Sequence, residues 1–330
     1  MNTIRIGILG AAKIVPRSII EPSKFVDNIC LWGIASRDKA KAEEFSRIYQ
    51  IPYVFSDYDE LLKCDDIDAV YIPLSNDLHA TWIINAAIAK KHVLVEKPIC
   101  LNSAEFDLML EVSKNTGVQI LEAIMVQHHP WQNEVKNMIT TGIYGKLQSI
   151  KTHSTFRLSS EDNYRLSPEK GGGAFFDLGS YWLQFIQECI GLHPQSFYGK
   201  SDFSGPNGID LTFEAVLEYA NGVKSEFLCS FQRPFEANHW LEFEKSKVRI
   251  RNFFGPALGT HSMNIDIKEK DLDKTEKIVF SAQNYYVNQL KYFVKLIEGK
   301  EHIDYFQYQE RVRLMSDIYQ LAYLESIKHR

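Results

Sequence analysis

Apolar and polar positions fall into two regimes along the chain. Up to about residue 124, short apolar runs alternate with segments whose apolar residues recur every three or four positions. A short apolar run bounded by turn residues reads as a strand buried on both faces, and the longer spacing reads as amphipathic helix. The pattern predicts strands from Ile4 into the turn at Gly10, over Cys30 to Ser36, Ala69 to Pro73, His92 to Val95 and Val118 to Ile124. Helices fall between them. One follows Pro16, one runs from an Asp38 cap to about Tyr49, and Asp57 opens a short one over Tyr58 to Lys63. Another spans Asn76 to Lys90, with Leu78, Trp82, Ala86 and Ala89 near one face, and Asn102 caps a last one reaching about Thr116. Strands alternating with helices predict a doubly wound parallel sheet with right-handed crossovers.

Beyond residue 124 the pattern changes. His128-His129-Pro130-Trp131 leads into a helix ending near Gly142, and from Lys146 the chain reads mainly as strands. Phe213, Ala215, Leu217 and Tyr219 alternate with more polar neighbours. Asn221-Gly222 is a strong hairpin turn, and Val223, Phe227, Cys229 and Phe231 fit the returning strand. A largely antiparallel sheet can bury one face in its core and offer the other to a partner. Two tail helices, about Tyr285 to Glu298 and Tyr308 to Ser326, carry tyrosine and leucine stripes that read as packing surface. The expected fold is therefore α/β. A Rossmann-type parallel sheet occupies residues 1–124, and an α+β substrate-binding and oligomerisation domain occupies residues 125–330.

Composition narrows the class. A length of 330 residues suits two domains, and 45% apolar with 24% charged residues is the balance of a soluble globular protein. A net charge of −5 argues against nucleic acid as a partner. No run approaches the roughly 20 apolar residues of a membrane helix, and the N-terminus passes directly into a strand, so neither a membrane partner nor a signal peptide is expected. Cys30, Cys64, Cys100, Cys189 and Cys229 are scattered without metal spacing, which fits free thiols in a cytoplasmic protein. The paired histidines have no third ligand at recognisable spacing, so no catalytic metal is expected.

Four stretches carry candidate chemistry. Gly7-x-x-Gly10-x-Ala12 is a loose form of the dinucleotide fingerprint, in which glycine lets backbone approach a pyrophosphate. The second strand ends in Ser36-Arg37, where a cofactor with a free ribose 2′-hydroxyl usually meets an acid. A hydroxyl and a guanidinium suit a 2′-phosphate instead, although Arg37 also reads as a solvated surface residue. Asp38 is explained as a helix cap. Glu96-Lys97-Pro98 ends the strand at His92 to Val95, so Lys97 stands either in the ligand crevice at the carboxyl ends of the strands or in a surface ion pair. His79, in the first turn of its helix, is placed at that same crevice end. The fourth stretch runs from Gly171 to Phe185. Three glycines allow a close approach of ligand, and Asp177 and Tyr181 share one face of an otherwise apolar helix. A buried carboxylate and phenol need either polar partners or a function.

Together these motifs resemble the glucose–fructose oxidoreductase/inositol dehydrogenase (Gfo/Idh/MocA) superfamily. Glu122-Ala-x-Met125, Pro130, Asn163-Tyr-Arg-Leu166 and the C-terminal helices extend the likeness. The chain looks most like the branch of dimeric dihydrodiol dehydrogenase and NADP-dependent D-xylose 1-dehydrogenase, which has tyrosine where many relatives have the histidine corresponding to Tyr181. The resemblance implies an NAD(P)-dependent oxidoreductase working between a carbinol and a carbonyl carbon of a sugar, diol or cyclitol. NADP is preferred over NAD. Tyr181 is the implied acid/base, Lys97 lowers its pKa, and Asp177 orients Lys97 or binds a substrate hydroxyl. A phenol titrates near 10, and a lowering of about two units corresponds to roughly 3 kcal/mol. The implied cofactor contacts are Gly7, Gly10, Ala11, Ala12, Lys13, Ile14, Ser36, Arg37, Pro73, Asn76, His79, Glu96 and Lys97. The implied substrate contacts are Lys97, His128, Asn163, Arg165, Asp177 and Tyr181. Relatives often have arginine at Gln127, so the substrate is less well defined than the reaction. A homodimer or homotetramer through the C-terminal sheet is implied. The alternative readings, after other members of the superfamily, are a non-catalytic regulator that binds the dinucleotide and an NAD-dependent glycosidase with a tightly held cofactor.

Overall fold

The computed structural model describes residues 3–159, 163–270, 272 and 275–328. Met1 and Asn2, on which the expectation about the N-terminus rests, lie outside this set. The chain divides into two compact units, Met1–Met125 with Tyr286–Gln309 and Val126–Tyr285 with Glu310–Arg330.

The first unit is built on a parallel sheet of β1 (Ile4–Leu9), β2 (Ile29–Ala35), β3 (Tyr53–Phe55), β4 (Ala69–Ile72), β5 (His92–Val95) and β6 (Ile120–Glu122). Its order, β3-β2-β1-β4-β5-β6, is that of the Rossmann fold. β1, β4, β5 and β6 are largely buried on both faces. Ile4, Ile6 and Ile8 of β1 pack with Ala69, Tyr71 and Leu94 on one side. On the other side Gly7 leaves room for Leu61, since a Cβ there would lie 2.6 Å from Leu61 Cδ2. The first crossover is short, a five-residue π-helical turn (Pro16–Ile20) followed by α1 (Glu21–Ser23). The others use α2 (Lys39–Tyr49), α3 (Tyr58–Lys63), α4 (His79–Ile88) and α5 (Ser103–Thr116). Asp38, Asp57 and Asn102 cap three of these helices, accepting the N–H groups of Lys41, Glu60 and Glu105 at 3.3, 2.7 and 3.0 Å. Each such cap is worth about 1 kcal/mol.

The second unit opens with α6 (Pro130–Thr141), which ends at Gly142 in the left-handed region. Its sheet comprises β7 (Leu147–Thr155), β8 (Ser196–Lys200), β9 (Thr212–Glu218), β10 (Lys224–Ser230), β11 (Glu236–Phe243), β12 (Ser246–Ile250), β13 (Met263–Glu269) and β14 (Thr275–Phe280). The order is β14-β13-β12-β11-β7-β10-β9-β8, antiparallel except between β7 and β10. The chain leaves β7, forms α7 (Ala174–Ile190), β8 and β9, and returns along β10 in the direction of β7. α7 covers one face. Trp182 stacks on Phe227 at 4.7 Å and its indole donates to Ser225 Oγ at 3.0 Å, while Phe175 stacks on Phe213 at 4.3 Å. The opposite face carries Lys151, Trp240, Glu242, Lys247 and Arg249, which line a shallow groove.

Two helices end the described chain, α8 (Tyr285–Ile297) and α9 (Tyr305–Lys328). Leu290, Phe293, Val294 and Leu296 of α8 complete the core of the first unit. Residues 286–309 therefore belong with the parallel sheet, although a contiguous division at residue 125 had been expected. An apolar stripe shows that a helix face must be covered, not which unit covers it.

Candidate active site

Within the first unit the expected cofactor residues gather at the carboxyl ends of β1, β2, β4 and β5. The strand order reverses between β1 and β4, and ligands of open α/β sheets bind at such a point. Gly10 follows β1 with φ +123°, and its N–H donates to Ala35 O at 2.8 Å. A Cβ there would meet Leu74 Cδ2 at 3.0 Å, so only glycine fits both the conformation and the space. Ala11 and Ala12 pack against the core, Ile14 is partly buried and Lys13 is exposed. Gly7 lies inside β1, where its missing side chain is accounted for by Leu61.

At the end of β2, Ser36 is buried and Arg37 exposed. Asp38 turns to its own helix, accepting Lys41 N–H and pairing with Lys41 Nζ at 3.5 Å. Tyr58 stands close by, its phenol pKa pushed up by burial against the opposing pull of the Arg37 guanidinium.

At the ends of β4 and β5 the polar groups are tied to one another. Pro73 and Asn76 are buried. Tyr71 OH lies 2.6 Å from Glu96 Oε1 and 2.7 Å from Ser18 Oγ. Burial raises the Glu96 carboxyl above its ordinary range despite Tyr71, Lys97 and Arg17. Burial and Glu96 likewise push the Tyr71 phenol well up. Lys97 is 9% exposed and precedes a cis peptide to Pro98. His79, expected among the ligand contacts, is instead fully buried. Its Nδ1 lies 2.7 Å from Pro98 O and its Nε2 lies 3.1 Å from Leu74 O. Burial lowers its pKa against the opposing pull of the two carbonyls, and the ring stands between the loops after β4 and β5. Glu122, to which the sequence assigned no role, is buried at the end of β6 and accepts the Ile99 N–H at 2.9 Å. An acid closing an apolar strand was the available signal.

Within the second unit α7 brings Asp177 and Tyr181 onto one face as its period requires, 5% and 8% exposed. The Tyr181 ring packs edge-on to Phe254 at 4.7 Å. Asp177 pairs through Oδ2 with Arg165 Nε at 2.9 Å. Burial works against the Arg165 charge, yet Asp177, Tyr164 and Tyr181 together raise its pKa. Asn163 accepts Arg165 N–H at 3.1 Å, holding the turn that carries the arginine. The glycine run has a structural cause beyond any ligand. A Cβ on Gly172 would lie 2.5 Å from Arg165 O, and one on Gly173 would collide with Asp210. Asp210 is fully buried and accepts the Phe175 N–H at 2.8 Å, capping α7, while burial pushes its carboxyl up to about 7. His128 and His129 are neutral, lowered by burial to about 3 and about 4. No group of three or more potential metal ligands gathers among the described residues.

Two family models match the chain. One, described as an oxidoreductase family with an NAD-binding Rossmann fold, covers residues 4–124, and the GFO/IDH/MocA C-terminal domain covers residues 133–251. The chain belongs to the GFO/IDH/MocA oxidoreductase family. It is 31% identical to an uncharacterized oxidoreductase of Rhizobium meliloti over 261 residues, 79% of this chain and 78% of that one. It is 28% identical to the NADP(+) D-xylose 1-dehydrogenase 2 of Haloferax volcanii over 325 residues, 96% of each chain. Its fold matches a crystal structure of a 3-ketoreductase from Actinomadura kijaniata in complex with NADP and TDP-benzene. There the TM-score is 0.89 at 24% identity, with 97% of this chain and 98% of that one covered. The protein is thus an oxidoreductase that takes a nicotinamide dinucleotide. The residues present fit such a cofactor, because a side chain at Gly10 would fill the approach after β1 and the end of β2 offers an exposed guanidinium beside Tyr58. No described helix is long and apolar enough to cross a membrane.

Proposed function

We propose that the protein is an NADP-preferring dehydrogenase or reductase acting between the carbinol and carbonyl forms of a sugar, diol or cyclitol, with Tyr181 as the acid/base. The observation that carries this reading is the face of α7. A phenol 8% exposed stands one helical turn from an ion-paired carboxylate on a mainly apolar, buried helix, whose buried Gln184 is instead matched by Gln132. Gly10 and the turn that follows would hold the pyrophosphate, and Ser36 and Arg37 the ribose 2′-phosphate. When bound, the nicotinamide supplies the hydride-transfer chemistry. The protein's own residues then manage the proton. Tyr181 takes it from the carbinol oxygen in oxidation and returns it in reduction. Lys97 is the residue assigned to assist it by favouring the phenolate, the form that a cation stabilises. Asp177 and Arg165 hold the adjacent polar surface, and Asn163 and His128 contribute to the substrate contacts. The xylose dehydrogenase relative, named for NADP and a sugar, supports both the cofactor choice and the substrate class. Free thiols at all five cysteines suit the cytoplasm.

Substitution of the two proposed proton-handling residues tests this reading. Tyr181→Phe removes only a hydroxyl and should preserve folding and cofactor binding while turnover falls by roughly 10²-fold or more. Lys97→Met should cause a comparable loss. The double variant should be little worse than either single one, because residues acting as a unit are not additive. Near-normal turnover in Tyr181→Phe at saturating cofactor would move the role to another group.

A further inference from the structure

Arg165 is fixed more firmly than a surface arginine needs to be. Its amide N–H is held by Asn163 Oδ1 at 3.1 Å, and its carbonyl accepts the Gly173 N–H at 2.9 Å. Gly172 is closed on the same carbonyl so tightly that no side chain fits. The main chain of Arg165 is therefore built into the start of α7, the helix that carries Asp177 and Tyr181. Its guanidinium lies 4.9 Å from the centre of the Tyr164 ring and pairs with Asp177 at 2.9 Å. The Asp177 side chain is only 6% exposed, against 28% for Arg165. A buried carboxylate one helical turn from a phenol opposes ionisation of that phenol, and a paired guanidinium cancels the opposition.

We propose that Arg165 is a positioning residue, which neutralises the Asp177 carboxylate and so sets the ionisation of Tyr181. The proposal rests on the acid/base reading of Tyr181 and adds to it a cation on the same structural unit. Loss of the guanidinium leaves the Asp177 charge facing the phenol without this counter-ion, so proton loss from Tyr181 becomes harder. Lysine at the same place keeps the charge and loses the fixed fork. The Arg165–Asp177 pair thus has a chemical role separable from its support of the helix start.

The test reads the phenol directly and needs no substrate. Protein carrying ¹³Cζ-tyrosine is titrated by NMR, with the Tyr181 resonance assigned from its disappearance in Tyr181→Phe. In Arg165→Gln the Tyr181 titration should move to higher pH by about one unit, a tenfold change in the ionisation equilibrium. Arg165→Lys should restore most of the wild-type position. Arg165→Gln combined with Asp177→Asn should restore it too, because the opposing carboxylate is then gone. NADPH fluorescence on binding checks that each variant is folded, and if Arg165→Gln fails to fold, the double variant and Arg165→Met carry the same comparison. Equal titration of Tyr181 with and without Arg165 would overturn the proposal, as would no titration in either up to about pH 11. Failure of the acid/base reading is distinguishable, since it shows as retained turnover in Tyr181→Phe whatever Arg165 does to the phenol.

Discussion

At the scale of single residues, chemistry and placement separate. Ser36, Arg37, Lys97, Asp177 and Tyr181 are recognisable in the sequence because each polar group interrupts or closes an apolar element. Their partners are not recognisable. Nothing in the spacing links Arg165 to Asp177, or Tyr71 to Glu96, because these pairs form only when distant segments pack. His79 shows the opposite case. Its position at a helix start suggests a presented ring, but both ring nitrogens are engaged with backbone carbonyls. Arg37 gives the residue-scale prediction. Asp38 is occupied with its own helix, so Arg37 is the charged group left at the end of β2. Arg37→Ala should weaken NADP binding by roughly tenfold or more, on the scale of 1.5–3 kcal/mol for a charge-assisted contact. NAD binding should change little. Titration of both cofactors by fluorescence checks this, and equal losses would mean that Arg37 does not read the 2′-phosphate.

At the scale of elements, strands and caps were legible wherever a local signal was complete. β5, α3 and the caps at Asp38, Asp57 and Asn102 are where the sequence places them. β3 is missing from the sequence reading because three residues after Pro52 are too short to show any period. The glycine run before α7 reads in sequence as room for a ligand, whereas the structure fills that room with the Arg165 carbonyl and Asp210. Asp210 makes the start of α7 sensitive to pH. Burial raises its carboxyl to about 7, and the groups near it include Tyr319 of α9 and Cys229 of β10. A raised folded pKa means that the native state binds more protons than the unfolded chain between about pH 4 and pH 7. This contribution is present at low pH and lost as pH rises through that window, by several kcal/mol, about 4 if fully expressed. Asp210→Asn keeps an acceptor for the Phe175 N–H and removes the titration. Urea unfolding at pH 5 and pH 8 should show stability at pH 8 relative to pH 5 higher in the variant than in the wild type, and an unchanged difference would exclude Asp210 as a source.

Buried histidines in the second unit act with the opposite sign. His128, His129 and His239 are lowered by burial to about 3, about 4 and about 3. The unfolded chain takes up protons on these groups below about pH 6.5 while the native state does not, so this contribution falls as pH falls. His239 is stacked between Phe185 at 3.9 Å and Phe253 at 4.3 Å and bonded to Thr152 Oγ1 at 2.9 Å. Its protonation would leave a charge inside an aromatic stack.

At the scale of the whole molecule, the change from β–α alternation to strand-rich sequence marks the two kinds of sheet, and both are present. The return of α8 to the first unit was not legible, since Leu290, Phe293 and Val294 would satisfy any apolar surface. Assembly belongs to this scale. The face of the second sheet away from α7 mixes Trp240, Arg249 and Glu242, with Arg249 5.3 Å from the centre of the Trp240 ring. Pairing through this face should give a homodimer or homotetramer by sedimentation at micromolar concentration. Trp240→Glu should shift the species toward monomer, and a wild-type monomer would remove the assembly proposal.

The central claim is turnover of a sugar-like carbinol or carbonyl with a nicotinamide cofactor. Its most direct test is the absorbance of the reduced nicotinamide, followed with NADP over a panel of aldoses, cyclitols and vicinal diols and with NADPH over their keto forms. The account predicts sustained multiple turnover with at least one member, reduced by roughly 10²-fold or more in Tyr181→Phe. Cofactor binding without any absorbance change across the panel would contradict it in favour of a regulator, and sugar release without net cofactor change would contradict it in favour of a glycosidase.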